Sequence, residues 1–184
     1  MTSLPTTPSL SEAHVADARS CLDAFQQELD YLCRALRRLG VPSSDIEDLA
    51  QEVFLVLARR WVDYDPGRPL RPYLFGIALR IAKAHGRRRA RERAEPSLEI
   101  PDPAAWPDQT LDDQRARDLV LRALERVPLA RRAVFILHDI DGIGMRDVAA
   151  ALSIPMFTGY SRLRKARKEF EAAVRSLQRE RKAP

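Results

Sequence analysis

The first thing this sequence lacks is a long apolar run: none approaches the roughly 20 residues that a bilayer-spanning helix needs, which excludes a membrane span. The first 20 residues carry Arg19 as their only Lys or Arg and no continuous apolar stretch. They do not read as a secretory signal, and a cytoplasmic location is expected. Ligand-forming residues are equally sparse. The 2 cysteines, Cys21 and Cys33, and the 3 histidines, His14, His85 and His138, show no metal-ligand spacing, so no metal site is expected. On one helix the two thiols would stand ~18 Å apart along the axis, far outside disulfide reach, and buried thiols are the simpler reading. The 7 glycines form no Gly-rich phosphate loop. Neither an enzymatic activity nor a cofactor is expected.

What is present is charge, unevenly placed. The chain has 184 residues, 45% hydrophobic and 31% charged, enough for one ordinary domain or two small ones. A net charge of +5 admits a polyanionic partner without demanding one. Between Arg80 and Arg93 stand 7 basic side chains against Glu92 alone. Residues 95–113 then carry 6 acids and no Lys or Arg, and from Thr158 onward 9 basic residues face 3 acids. The order along the chain is basic, acidic, basic.

Helical periodicity dominates, and no strand pattern or internal repeat competes with it. Residues 1–12, with Pro5 and Pro8 among Ser and Thr, read as a disordered leader. Ala18, Leu22, Phe25, Leu29, Leu32 and Leu36 return every three or four residues through a first helix that Gly40 closes. A second helix, about Ser44 to Trp61, carries the stripe Ile46, Leu49, Val53, Leu57 and Trp61. Pro66, Gly67 and Pro69 break the chain before a third helix, about Arg71 to Arg93, apolar in its first half and basic in its second. Pro96, Pro101, Pro103 and Pro107 mark residues 95–113 as a flexible acidic linker. Helices resume at Leu111, and the last one follows Pro155.

Near the C-terminus a short helix from Met145, a tight turn at Ser153 and Ile154, and a long basic helix have helix-turn-helix spacing. With Leu163, Ala166, Phe170, Val174 and Leu177 inward, the outer side presents Phe157, Thr158, Ser161, Arg164, Lys165 and Lys168. Base edges in a major groove are read by such groups, although a basic helix taken alone is equally well a solvated face. The run Asp141, Gly142, Asp147, Val148, Ala149, Leu152, Ile154, Pro155, Thr158, Ser161, Arg162, Leu163, Ala166 and Arg167 resembles the fourth conserved region of extracytoplasmic-function sigma factors. The last helix of that region reads the minus-thirty-five promoter element. This chain departs from the pattern at Phe157 and Gly159, where the family commonly has Gly and then a β-branched residue. Gly159 falls on the inward stripe and leaves a gap there unless another side chain fills it. Phe157 then either points at the groove, able to touch a thymine methyl, or folds back over Gly159.

Asp48, Leu49, Ala50, Gln51, Glu52, Val53 and Phe54 resemble the second conserved region of the same family, which docks on the clamp helices of the polymerase largest subunit. Asp48, Gln51, Glu52 and Leu55 lie away from the apolar stripe and offer acceptors plus one apolar contact, or else a merely solvated face. Tyr73, Leu74, Phe75, Gly76, Ile77 and Ala78, followed by Arg80 to Arg89, resemble the family's promoter-melting and minus-ten segment, though the family usually has Trp in place of Tyr73 and Asn in place of Arg80. A melted strand needs cations and aromatic walls, which Tyr64, Arg68, Tyr73, Arg80, Lys83, Arg87, Arg88 and Arg89 supply.

The expected fold is therefore all-α: a sigma region 2-like bundle over 13–94 and a region 4-like helix-turn-helix domain over 114–182, joined by the linker 95–113. The 19 linker residues would reach about 60 Å when extended, enough for both domains to sit on DNA at once. The resemblance implies a sigma factor with core RNA polymerase and promoter DNA as partners and an anti-sigma factor as an expected inhibitor. Its core-binding face would be Asp48, Gln51, Glu52 and Leu55. Its minus-thirty-five contacts would come from Phe157, Thr158, Ser161, Arg162, Arg164, Lys165 and Lys168. A free-standing helix-turn-helix regulator is the alternative, and a helical adaptor for RNA or acidic proteins is a more distant one.

Overall fold

A computed structural model of the chain describes residues 10–92 and 111–182, all of them in helices or the turns between helices. Residues 1–9 of the expected leader and nearly all of the expected acidic linker lie outside the described residues, whereas residues 10–12, expected in the leader, already belong to the first helix. The N-terminal half consists of α1 (Leu10–Leu39), α2 (Ile46–Arg59) and α3 (Leu70–Glu92). Single 3-10 turns at Ser43–Asp45 and Trp61–Asp63 flank α2. The C-terminal half consists of α4 (Leu111–Glu125), α5 (Leu129–Phe135) running into a π-helical turn (Ile136–Ile140), α6 (Met145–Ala151) and α7 (Met156–Lys182).

Local chemistry sets the ends of these helices. Gly40 takes a left-handed backbone (φ +93°), and α1 closes with Val41 N–H bonded to Leu36 C=O at 3.1 Å and Gly40 N–H to Arg37 C=O at 3.0 Å, the paired bonds of a Schellman end. The same pair ends α6, where Ile154 N–H reaches Ala149 C=O at 2.9 Å and Ser153 N–H reaches Ala150 C=O at 3.1 Å. There the left-handed residue is Ser153 (φ 52°), so the helix-turn-helix bend is held by hydrogen bonds and packing rather than by a glycine. Cys21, Phe25, Leu32, Leu36, Val53, Leu57, Leu74, Phe75 and Ile77 fill the N-terminal core. Leu22 and Leu29, expected on the inner stripe of α1, are instead 40% and 38% exposed, because they fall at its edge beside the Cys21, Phe25 and Leu32 line. The cysteines are free, Cys21 buried and Cys33 half-buried, and burial pushes both thiols up.

The two halves do not stand apart: one continuous cluster of buried residues runs through both. Three contacts fasten them. The buried Arg132 guanidinium donates to Val127 C=O at 3.1 Å, to Glu125 C=O at 2.7 Å and, across the divide, to Leu39 C=O at 2.8 Å. It thus places a cation on the carbonyl end of α1, where the helix dipole favours one. Asp141 accepts from Tyr31 Oη at 2.9 Å and from Arg38 Nη1 at 2.8 Å. Gly76 of α3 lies so close to α6 that a Cβ there would stand 2.5 Å from the carbonyl oxygen of Ala151. Both expected helical units are present, and they touch each other through contacts more than 90 residues apart in sequence that local periodicity does not register.

Candidate nucleic-acid interface

On α2 the buried stripe Ile46, Leu49, Ala50, Val53 and Leu57 turns Asp48, Gln51, Glu52 and Leu55 outward. All four are exposed, Leu55 by 53%. The face expected to dock therefore carries two carboxylates, an amide and one large apolar side chain in water.

The segment after α2 builds an aromatic row. Tyr64 stacks on Trp61 with ring centroids 5.2 Å apart and tilts against Tyr73 at 5.3 Å, while its hydroxyl donates to Arg68 C=O. Gly67 N–H bonds Asp65 Oδ1 at 2.9 Å, which tightens the intervening loop. Tyr73, which from sequence alone could equally be core, is half-buried and belongs to this row. Trp61, at the end of the apolar stripe and absent from the expected minus-ten contacts, is its other member. Arg68 is exposed and pairs loosely with Asp65 at 3.6 Å.

Along α3, Arg80, Lys83, Arg87 and Arg88 are exposed, the first three on one line at helical spacing. Arg88 also touches His85 Nδ1 at 3.2 Å. Arg89 departs from the expectation. It falls on the opposite side of the helix from Arg80, where Nη1 donates to Asp45 Oδ2 at 2.6 Å beside the buried His85, whose Nε2 reaches the same oxygen at 2.8 Å. Burial pushes the Asp45 carboxyl up, but hydrogen bonds from Ser44, Arg89 and His85 outweigh it and hold the group below its ordinary value. Arg89 thus ties α3 to the turn before α2 and is not displayed with the other cations.

In the C-terminal half the first turn of α7 is regular, with Gly159 N–H bonded to Pro155 C=O at 3.1 Å. Phe157 is 84% exposed, and the fold-back alternative is excluded. The gap at Gly159 is filled from the neighbouring helix: a Cβ there would lie 2.5 Å from Sδ of the buried Met145. The glycine lets α6 and α7 approach, and the methionine supplies the missing apolar volume. Phe157, Thr158, Ser161, Arg162 and Lys165 line one shallow groove of about 360 Å³ with Pro128, Ala130 and Arg131 from the start of α5. Arg164 and Lys168 stand exposed on the same outer side. Arg131, missed from the sequence because it belongs to another helix, is paired with Glu169 at 2.9 Å. Tyr160 and Met156, also missed, are 54% and 48% exposed. Arg167 grips Asp139 through two bonds of 2.7 Å, and this pairing holds the Asp139 carboxyl below its ordinary value.

Comparison with known proteins places this geometry. Residues 24–92 match the family description "Sigma-70 region 2", and residues 117–170 match "Sigma-70, region 4". The chain is 30% identical over 159 residues to the RNA polymerase sigma factor NccH of Alcaligenes xylosoxydans xylosoxydans, covering 80% of this chain and 82% of that protein. It is 27% identical over 154 residues to the ECF RNA polymerase sigma-E factor of Escherichia coli K12, covering 74% and 78%. Among solved structures it is similar to the sigma factor RpoE of Bartonella quintana, crystallised with the anti-sigma factor NepR, with a TM-score of 0.64 and 27% identity over 83% of this chain and 97% of that one. CnrH, solved with the cytosolic domain of CnrY, shares the fold at a TM-score of 0.59 and 24% identity, covering 89% of this chain and 95% of that one.

Proposed function

This chain belongs to the extracytoplasmic-function branch of the sigma-70 family of RNA polymerase sigma factors, which direct promoter recognition and transcription initiation, and on that premise we propose how its surface divides the work. Asp48, Gln51, Glu52 and Leu55 on α2 dock core polymerase. The aromatic row Trp61, Tyr64 and Tyr73, with Arg68, Arg80, Lys83, Arg87 and Arg88, engages the minus-ten element. There the cations take backbone phosphates, and the rings offer faces to unstacked bases. Phe157, Thr158, Ser161, Arg162, Arg164, Lys165 and Lys168 meet the minus-thirty-five element in a major groove. Arg89 stands apart as a support of the minus-ten surface.

One observation carries this reading. Three exposed surfaces, one acidic, one basic and aromatic, one a basic helix after a tight turn, follow one another in the chain order of the two matched regions. A free-standing operator-binding regulator has no need of the acidic and apolar face on α2. The chain acts without chemistry of its own, since bond formation belongs to the polymerase it recruits, and its place is the cytoplasm, where that enzyme works. No described helix is long and apolar enough to cross a membrane. The two structural relatives were solved with the anti-sigma factor NepR and with the cytosolic domain of CnrY, and an anti-sigma factor is the matching partner for this chain. Runoff transcription with purified core polymerase tests the reading. Transcripts that start at a defined promoter only when the chain is added support it, whereas promoter-length DNA binding without any transcript supports the free-standing regulator.

A further inference from the structure

Between Met156 and Lys168 the leading turns of α7 contain no Asn, Gln, Asp or Glu. That absence removes the amide and carboxylate side chains that pair with adenine and with the cytosine amino group in a major groove. Beside the short hydroxyls of Thr158 and Ser161, which contact several bases alike, it leaves Arg and Lys for guanine, and apolar groups for the thymine methyl. Apolar groups are what this surface displays. Phe157 is 84% exposed, Tyr160 54% and Met156 48%, although large apolar side chains in water cost free energy until something covers them. Phe157, Tyr160 and Arg164 fall within about 60° of arc on the helix, so the two rings and one guanidinium share a side. Phe157 also walls the groove lined by Thr158, Ser161, Arg162 and Lys165. With Arg162, Arg164, Lys165 and Lys168 around the rings, the charge that covers them must be negative, and duplex DNA supplies both that charge and an apolar methyl at the groove edge.

We propose that the last helix selects A·T pairs within the minus-thirty-five element by packing thymine C5 methyls against Phe157 and Tyr160, with Arg164 and Lys165 left to read guanine. The inference rests on the assignment of α7 to that element. Its consequence is specific: the helix senses the methyl rather than the base's hydrogen-bonding pattern. Uracil, which pairs as thymine does but lacks the methyl, should be refused. A 5-methylcytosine, which presents a methyl at the same edge, should be accepted in thymine's place.

The experiment uses holoenzyme assembled from core polymerase and the full chain. Duplexes randomised over the minus-thirty-five element are selected for binding, and the preferred duplex is remade with deoxyuridine, with cytosine paired to guanine, or with 5-methylcytosine paired to guanine in place of single thymines. For the wild type, each uracil beneath the rings should weaken binding about fourfold, the value of one buried methyl, and 5-methylcytosine at that position should recover most of the loss. Phe157→Ala and Tyr160→Ala should bind the thymine and uracil duplexes alike, while Phe157→Leu keeps the discrimination. Both side chains are exposed, so unchanged thermal unfolding is expected throughout. Equal wild-type affinity for thymine and uracil at every position overturns the methyl reading. If selection yields no preferred element and Arg164→Ala with Lys165→Ala leaves binding unchanged, the assignment of α7 itself is overturned.

Discussion

Replacing Gly76 by Ala should pry the two halves apart while leaving each folded. The added methyl would stand 2.5 Å from the carbonyl oxygen of Ala151, whereas even a close carbon–oxygen contact needs about 3.3 Å. The obstacle is backbone in the last turn of α6, not the end of a flexible side chain, so α6 has to withdraw by nearly an ångström. Overpacking of this kind costs ~1–3 kcal/mol. Against it, Ala in a helix interior is better than Gly by about 1 kcal/mol. The two effects act on different equilibria. The helix gain is present whether the halves touch or not, but the steric cost exists only when they are packed. The ratio of packed to separated forms should therefore fall about 5- to 150-fold, at about 1.4 kcal/mol per factor of ten. Hydrogen exchange reads such a ratio even when the separated form is rare. Amides around Leu39 to Val41 and in α6 should exchange faster by that factor, with unchanged helical circular dichroism. Unchanged exchange at both places would refute the claim that this contact fastens the halves.

Arg80→Ala or Arg87→Ala in the holoenzyme should flatten the salt dependence of promoter binding by up to ~0.9 of logarithmic slope each, or ~0.7 if the strand is single, as a slope measured across salt concentrations would show. Arg89→Ala should leave the slope in place and lower the melting temperature, because it takes from a half-buried Asp45 one of its three hydrogen-bond partners and the guanidinium charge among them. Asp139→Asn should lower the melting temperature at neutral pH. The Asp139 carboxyl is held below its unperturbed 3.8, so its pairing contributes stability above that pH and loses it as the pH falls through the lowered value. Wild type and variant should therefore differ fully above 3.8 and converge only once the pH has fallen through that lowered value, in a series of thermal melts, and a gap that persists below it would contradict the pairing with Arg167 as its source.

Much of the architecture was legible because it is local. Apolar returns at three and four residues placed each helix after α1 to within a few residues of its observed ends, while α1 begins at Leu10, inside the expected leader, and Gly40 and Pro155 marked a stop and a start through their own backbone limits. The exposed faces of α2 and α7 followed from the same rotation. What escaped the sequence depends on partners far along the chain. Arg89 lies on the inward side of α3, but its role needs Asp45, 44 residues away. The gap at Gly159 was visible, whereas the side chain that fills it, Met145, is set by the angle between two helices. Tyr31, Arg38 and Arg132 read as ordinary members of amphipathic helices, and only the packed structure shows them bridging the halves. Tyr160 lies on the flank of the outer side of α7, beyond the stripe that a wheel centred on the inward residues picks out.

The chain acts through core polymerase, and the face of α2 is where that dependence can be tested most directly. Full-length chain and a Gln51→Ala, Glu52→Ala variant would be titrated onto purified core enzyme, with thermal melts to confirm equal folding. Both residues are exposed, so the fold should not change. Loss of acceptors at such an interface costs ~1–3 kcal/mol, so the expected affinity is weaker by about 5- to 150-fold, together with a matching loss of runoff transcript. Equal affinity of the two proteins for core polymerase would contradict it.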